Sequence, residues 1–113
     1  MRAITIKSIE TKTHPETKRL FWFIFAATRG GMNRIRIISH LRDMPTNTHK
    51  LAKAMGLDYK AVQHHLRTLE RNNLVTTVGS NYGVTYFPSV LFEDGEVIFD
   101  EIVAKLKVRN STK

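Results

Sequence analysis

The chain of 113 residues contains no cysteine. That absence excludes disulfide frameworks, thiolate catalysis, iron–sulfur clusters and cysteine-based zinc or arsenic sensing. It also fits a reducing intracellular compartment. Long apolar runs are missing as well. The longest, Leu20 to Ala27, has eight residues, whereas a membrane-crossing helix needs about 20. No membrane partner is therefore expected, and Met1-Arg2-Ala3-Ile4-Thr5 lacks the apolar core of a signal peptide. No internal repeat or low-complexity segment is present. Acidic residues are the minority, 10 against 18 Lys and Arg, which leaves a net charge of +8.

What remains is enough for one domain with a core. The hydrophobic fraction is 42%, so wholesale disorder is not expected. A chain this short buries about two-thirds of its unfolded surface, and self-association would help it. The charge is uneven: residues 1–92 carry 14 basic and 5 acidic side chains, and residues 93–113 carry 4 basic and 5 acidic. A basic body with a near-neutral tail points to a polyanion partner, or to a protein that is merely basic and kept soluble by its charge.

The pattern predicts a mainly helical domain over 1–113, with one small β-hairpin. Residues 1–15 form an arm, with a short strand over Ala3 to Ile9. Thr13 caps a helix over 16–28, with Pro15 in its first turn and Glu16 completing a capping box. Gly30-Gly31 stops it. This helix is apolar all round, so it is covered on several sides. A second subunit is one cover, with Phe21, Trp22, Ile24 and Phe25 as interface residues. Ordinary core, or even a buried strand, is the other reading.

Asn33 caps a second helix, Arg34 to Arg42, ended by Met44-Pro45. A Thr46–Thr48 cap opens a third, His49 to Met55, with Leu51, Ala52 and Met55 inward. Gly56 ends it and Asp58 caps a fourth, Tyr59 to Asn72, with Val62, Leu66 and Leu69 inward. Leu74–Val78 and Val84–Phe87 then read as strands around the turn cluster 79–83, and Pro88 ends the second. Asp94-Gly95 is a turn. A last helix, 96–107, presents Val97, Ile98, Ile102, Val103 and Leu106, with Ile98 and Ile102 joining the dimer interface. Residues 110–113 fray.

A short helix, a Gly-centred turn and a longer helix make a helix-turn-helix, and a hairpin directly after it is a wing. The winged core spans 33–88. Here the chain resembles the winged helix-turn-helix domain of ArsR-like transcriptional regulators, particularly the archaeal kind. The resemblance is carried by Thr28-Arg29-Gly30-Gly31, Asn33-Arg34-Ile35-Arg36-Ile37-Ile38, the run Asn47 to Glu70, Asn73-Leu74-Val75, Tyr82-Gly83 and Tyr86-Phe87. It covers about Thr17 to Ser89. It implies a homodimer that binds promoter DNA. It does not imply metal sensing, because the sensing members use cysteines or acidic and His ligands.

With Val62, Leu66 and Leu69 inward, the opposite face of the fourth helix carries Lys60, His64, Arg67 and Arg71, with Tyr59 and Gln63 on its shoulders. Tyr59, Lys60, Gln63 and His64 are placed to read bases, Gln63 by pairing with adenine. Arg67 and Arg71 suit phosphates; a solvated polar face is the plain alternative. Thr46, Asn47, Thr48 and Lys50, near the start of the third helix, hold a phosphate, or the threonines cap alone. The resemblance implies that Ser80, Asn81 and Tyr82, at the wing tip, lie in or beside the minor groove. The tip has no Lys or Arg, and a plain hairpin turn is the other reading.

His64 and His65 are adjacent and point different ways, with His65 packed or touching a phosphate. His14, His40 and His49 are scattered, so no metal and no cofactor is expected. Protonated His64 on the DNA face would tighten binding at mildly acidic pH. There is no phosphate-binding Gly loop with its lysine and no Ser/His/Asp set, so no enzyme is expected. Asp100 and Glu101 read as solvated. The expectation is a cytoplasmic, nucleoid-associated, sequence-specific regulator bound to double-stranded DNA as a homodimer. A non-specific chromatin protein, or a protein-interaction winged helix within a transcription assembly, is the alternative.

Overall fold

The computed structural model describes residues 14–80 and 83–111. The strand expected at Ala3 to Ile9, the Thr13 cap, and Asn81 and Tyr82 lie outside them. The elements are α1 (Pro15–Trp22), a π-helical turn (Phe23–Ala27), α2 (Gly31–Asp43), α3 (Thr48–Met55), α4 (Tyr59–Arg71), β1 (Val75–Ser80), β2 (Gly83–Pro88), α5 (Val90–Asp94) and α6 (Glu96–Ser111). Among the described residues no helix is long and apolar enough to cross a membrane.

His14 caps α1: its Nδ1 accepts from the Glu16 amide at 3.1 Å, ahead of Pro15 in the first helical position. Beyond Trp22 the helix widens into the π-helical turn. Phe21, Ile24 and Phe25 are fully buried. Their cover is the chain's own, which corrects the interface expectation. Phe25 packs edge-on against Phe99 at 5.0 Å, and Phe92 stacks on Phe21 at 5.9 Å. Ile98 and Ile102 are buried in the same core. Of the residues expected to meet a second subunit, only Trp22 keeps part of its surface.

α2 starts at Gly31, two residues before the expected cap, because Gly30 serves as the N-cap. A Cβ on Gly31 would strike the Phe25 carbonyl carbon at 2.7 Å, so the glycine permits the close approach. Asn33 instead accepts from Arg36. Ile35, Ile37, Ile38 and Leu41 all face the core.

The helix-turn-helix forms as the spacing predicts. Asn47, not Thr46 or Thr48, caps α3 by accepting from the Lys50 amide at 2.8 Å. Thr48 is buried. Gly56 ends the helix in left-handed conformation, φ +66°, and its own and the Leu57 amides close on Lys53 and Ala52. Asp58 caps α4 through the Lys60 amide at 3.1 Å. Val62, Leu66 and Leu69 are fully buried.

The strands run longer than predicted and pair antiparallel from Val75↔Pro88 to Ser80↔Gly83. At the base, the Ser89 amide donates to the Leu74 carbonyl and Oγ to the Asn73 carbonyl, 3.0 and 2.6 Å. The Tyr86 amide donates to the Thr46 carbonyl at 2.8 Å, a bridge that joins the wing to the segment before α3.

Two features after the wing were not expected. Ser89 caps the short α5 by accepting from the Phe92 amide at 3.1 Å, which drives Phe92 into the core. Phe99, also unforeseen, is buried, while Val97 is exposed. α6 continues to Ser111, past the expected end at 107 and through residues expected to fray. Asp100 is not simply solvated: it pairs with Arg42 at 3.1 Å, beside Glu96 at 3.2 Å.

Candidate nucleic-acid interface

α4 is amphipathic, so burying Val62, Leu66 and Leu69 against the core turns its polar side outward. Lys60, His64, Arg67 and Arg71 are all exposed. Among the described residues none of these cations pairs with a carboxylate. Lys50 and Lys53, on α3, are exposed and likewise unpaired. The helix thus displays positive charge along its outer side that the fold itself does not neutralise.

Beside this row lies a shallow concavity of about 380 Å³ between the start of α3, the start of α4 and the wing. Asn47, Thr48, Tyr59, Gln63 and Ser80, all expected at the site, line it together. So do His49 and Tyr86, which sequence reasoning did not place there. Tyr86 sits one strand position before Phe87 and gives no periodicity signal. Only the bridge to Thr46 brings it beside α3. Lys60, His64, Arg67, Arg71, Thr46 and Lys50 lie outside the concavity.

Thr46 and Thr48 have structural duties. The Thr46 carbonyl anchors β2, and the buried Thr48 lines the concavity with Tyr86. Burial first, and the Glu70 charge next, push the Tyr86 phenol above its ordinary value, so it stays a neutral hydrogen-bonding group. The Asn47 Oδ1 accepts the capping bond.

His65 turns inward and is buried, which settles it as a packed residue. Its partner is Arg34, a buried arginine that the sequence did not single out; nothing in a basic residue near a helix start signals burial. Among the described residues no three His, Asp or Glu side chains converge on a point.

Residues 32–77 match the family model described as "Bacterial regulatory protein, arsR family". No curated protein sequence matches the chain. Several solved structures share its fold. Reduced HlyU from Vibrio cholerae is similar with a TM-score of 0.60 and 24% identity, over 86% of this chain and 96% of that one. A homodimeric winged helix-turn-helix domain from Mycobacterium bovis, a possible ArsR-family regulator, gives 0.63 and 16% identity over 95% and 91%. MepR, a transcription regulator of a multidrug efflux pump in Staphylococcus aureus, gives 0.56 and 17% over 94% and 84%. The fold is a winged helix-turn-helix, mostly helical with a two-stranded antiparallel hairpin.

Proposed function

We propose that the chain is a transcriptional regulator that binds double-stranded DNA as a homodimer, with α4 in the major groove. The observation that carries this reading is the outward side of α4, where Lys60, His64, Arg67 and Arg71 stand exposed without acid partners among the described residues. A fold that leaves cations unpaired on an element of groove-fitting width favours a phosphate backbone as the partner.

Within this proposal Tyr59, Lys60, Gln63 and His64 meet base edges, and Arg67 and Arg71 meet phosphates. Asn47 and Lys50 hold a phosphate at the start of α3, and Ser80, Asn81 and Tyr82 lie beside the minor groove. Support for dimerisation is the homodimeric Mycobacterium bovis neighbour and the apolar surface left on Trp22, Phe23 and Val97. The archaeal subtype implied by the resemblance, and work at the nucleoid, belong to the same proposal.

The test is selection of bound duplexes from a random pool at near-physiological salt with excess competitor DNA. The expected result is a motif with two half-sites about 34 Å apart, together with a dimer by analytical ultracentrifugation. Enrichment without a motif would instead establish charge-driven, non-specific binding.

A further inference from the structure

Arg34 is 5% exposed, and among the described residues no carboxylate meets it. A buried cation without a counter-ion depends on hydrogen bonds to neutral acceptors. Arg34 has three, from three parts of the chain. Its Nε donates to the Ile24 carbonyl in the π-helical turn at 2.9 Å. One terminal nitrogen donates to the Thr28 hydroxyl, which in turn donates to the Phe23 carbonyl at 3.1 Å. The other faces His65 Nδ1, on α4, at 3.3 Å. The late carbonyls of a helix end lack partners and carry negative charge, which a guanidinium satisfies.

The contact fixes the state of His65. A guanidinium has only donors, so Nδ1 must accept, and the imidazole is neutral with its proton on Nε2. Gly30 leaves space for the ring to sit here, since a Cβ on it would lie 2.6 Å from the His65 Cε1. The charged or titratable groups facing the ring are Arg34 from α2 and His64 from its own helix, with ring centroids 5.6 Å apart. The turn over 28–30 presents the Thr28 hydroxyl and the Gly30 backbone, and no carboxylate among the described residues acts on the ring.

We infer that Arg34 and His65 are positioning residues for DNA binding, a latch that holds α4 to α2 and the π-helical turn only while His65 is neutral. A proton on Nδ1 removes the acceptor and sets a second cation against a buried one, so acidification loosens the DNA-reading helix. The inference rests on the proposed function for its effect on DNA but not for the latch itself. Burial, then the Arg34 charge, then His64, hold the His65 pKa below the ordinary histidine value. The folded state therefore binds fewer protons at this site than the unfolded state. Its contribution to stability is intact above about pH 6.5 and declines as pH falls from there toward the lowered folded value. His64 is exposed one residue away, on the side proposed to face DNA.

The experiment has two arms on the full chain. Without DNA, histidine-ring NMR titration of the wild type should show His65 as an Nε2–H tautomer titrating below the ordinary histidine range. An Nδ1–H tautomer, or titration at or above that range, overturns the latch. With DNA, affinity for a mixed-sequence duplex of about 30 base pairs, room for two half-sites a turn apart, is measured at neutral and mildly acidic pH. In His64→Gln, which removes the neighbouring imidazole, acidification from about pH 7.5 to about pH 5.5 should weaken binding by up to about twofold, the limit for one group titrating near the lower pH. Adding His65→Asn, whose Oδ1 stands near the Nδ1 position and cannot be protonated there, should abolish that loss. Equal acid weakening in both variants overturns the inference. Absence of binding at either pH overturns the proposed function, while the titration still judges the latch.

Discussion

The two ends of α2 deploy the same residue in opposite ways. Arg34, near the start, is buried, meets only neutral acceptors and reaches α4. Arg42, near the end, lies 5.4 Å from the centre of the Phe99 ring and pairs with Glu96 and Asp100. Burial works against the Arg42 charge, but Asp100 and Glu96 outweigh it, and its pKa is raised; burial alone lowers that of Arg34. The aromatic end thus sets two acids on one arginine. The helix-turn-helix end has few acids and leaves its cations free. That division turns a net charge of +8 into a directional surface.

Breaking the aromatic end should have the largest effect. Phe92→Ala opens a cavity among Phe21, Phe25 and Phe99 and should cost about 3–5 kcal/mol, read by denaturant unfolding. At the end proposed to face DNA, substitutions of exposed side chains should change affinity and not stability. Gln63→Ala should lose about 1–3 kcal/mol of discrimination at one base position, whereas Arg67→Ala should weaken all duplexes and reduce the salt slope by about 1. Equal behaviour of the two would contradict the separate roles. Gly56→Ala, forced to φ +66°, should cost about 1 kcal/mol in thermal unfolding and shift the turn between α3 and α4. The smallest effect belongs to Asp100→Asn. This half-exposed pair should change stability by less than about 1 kcal/mol, and less still at high salt.

The same division explains what the sequence made legible. α4 could be read because one short stretch contains its cap, its apolar spacing and the glycine before it. The hairpin could be read because its strands adjoin. Phe92 escaped because α5 has five residues, too few to show a period, although Ser89 placed three residues before it was a usable cap signal. Phe21, Ile24 and Phe25 were given a partner subunit because an all-round apolar helix reports that it is covered, not by what. The cover, Phe92 and Phe99, lies about 70 residues further on. The latch escaped for the same reason: 31 positions separate Arg34 from His65, and no local pattern joins them. On the candidate interface, sequence spacing found the exposed face of α4, while the assignment of caps to Thr46 and Thr48 missed that Asn47 is the cap and that the Thr46 carbonyl secures the wing.

The bridge from Thr46 to Tyr86 sets the boundaries for anyone who would transplant the proposed DNA-binding surface. Moving residues 58–71 alone would leave behind both the wing and the segment that anchors it. A graft cut before Thr46 and after Ser89 would carry the bridge, both helix caps and the closed base of the hairpin as one cassette. The structural unit that carries the proposed interface is therefore larger than α4.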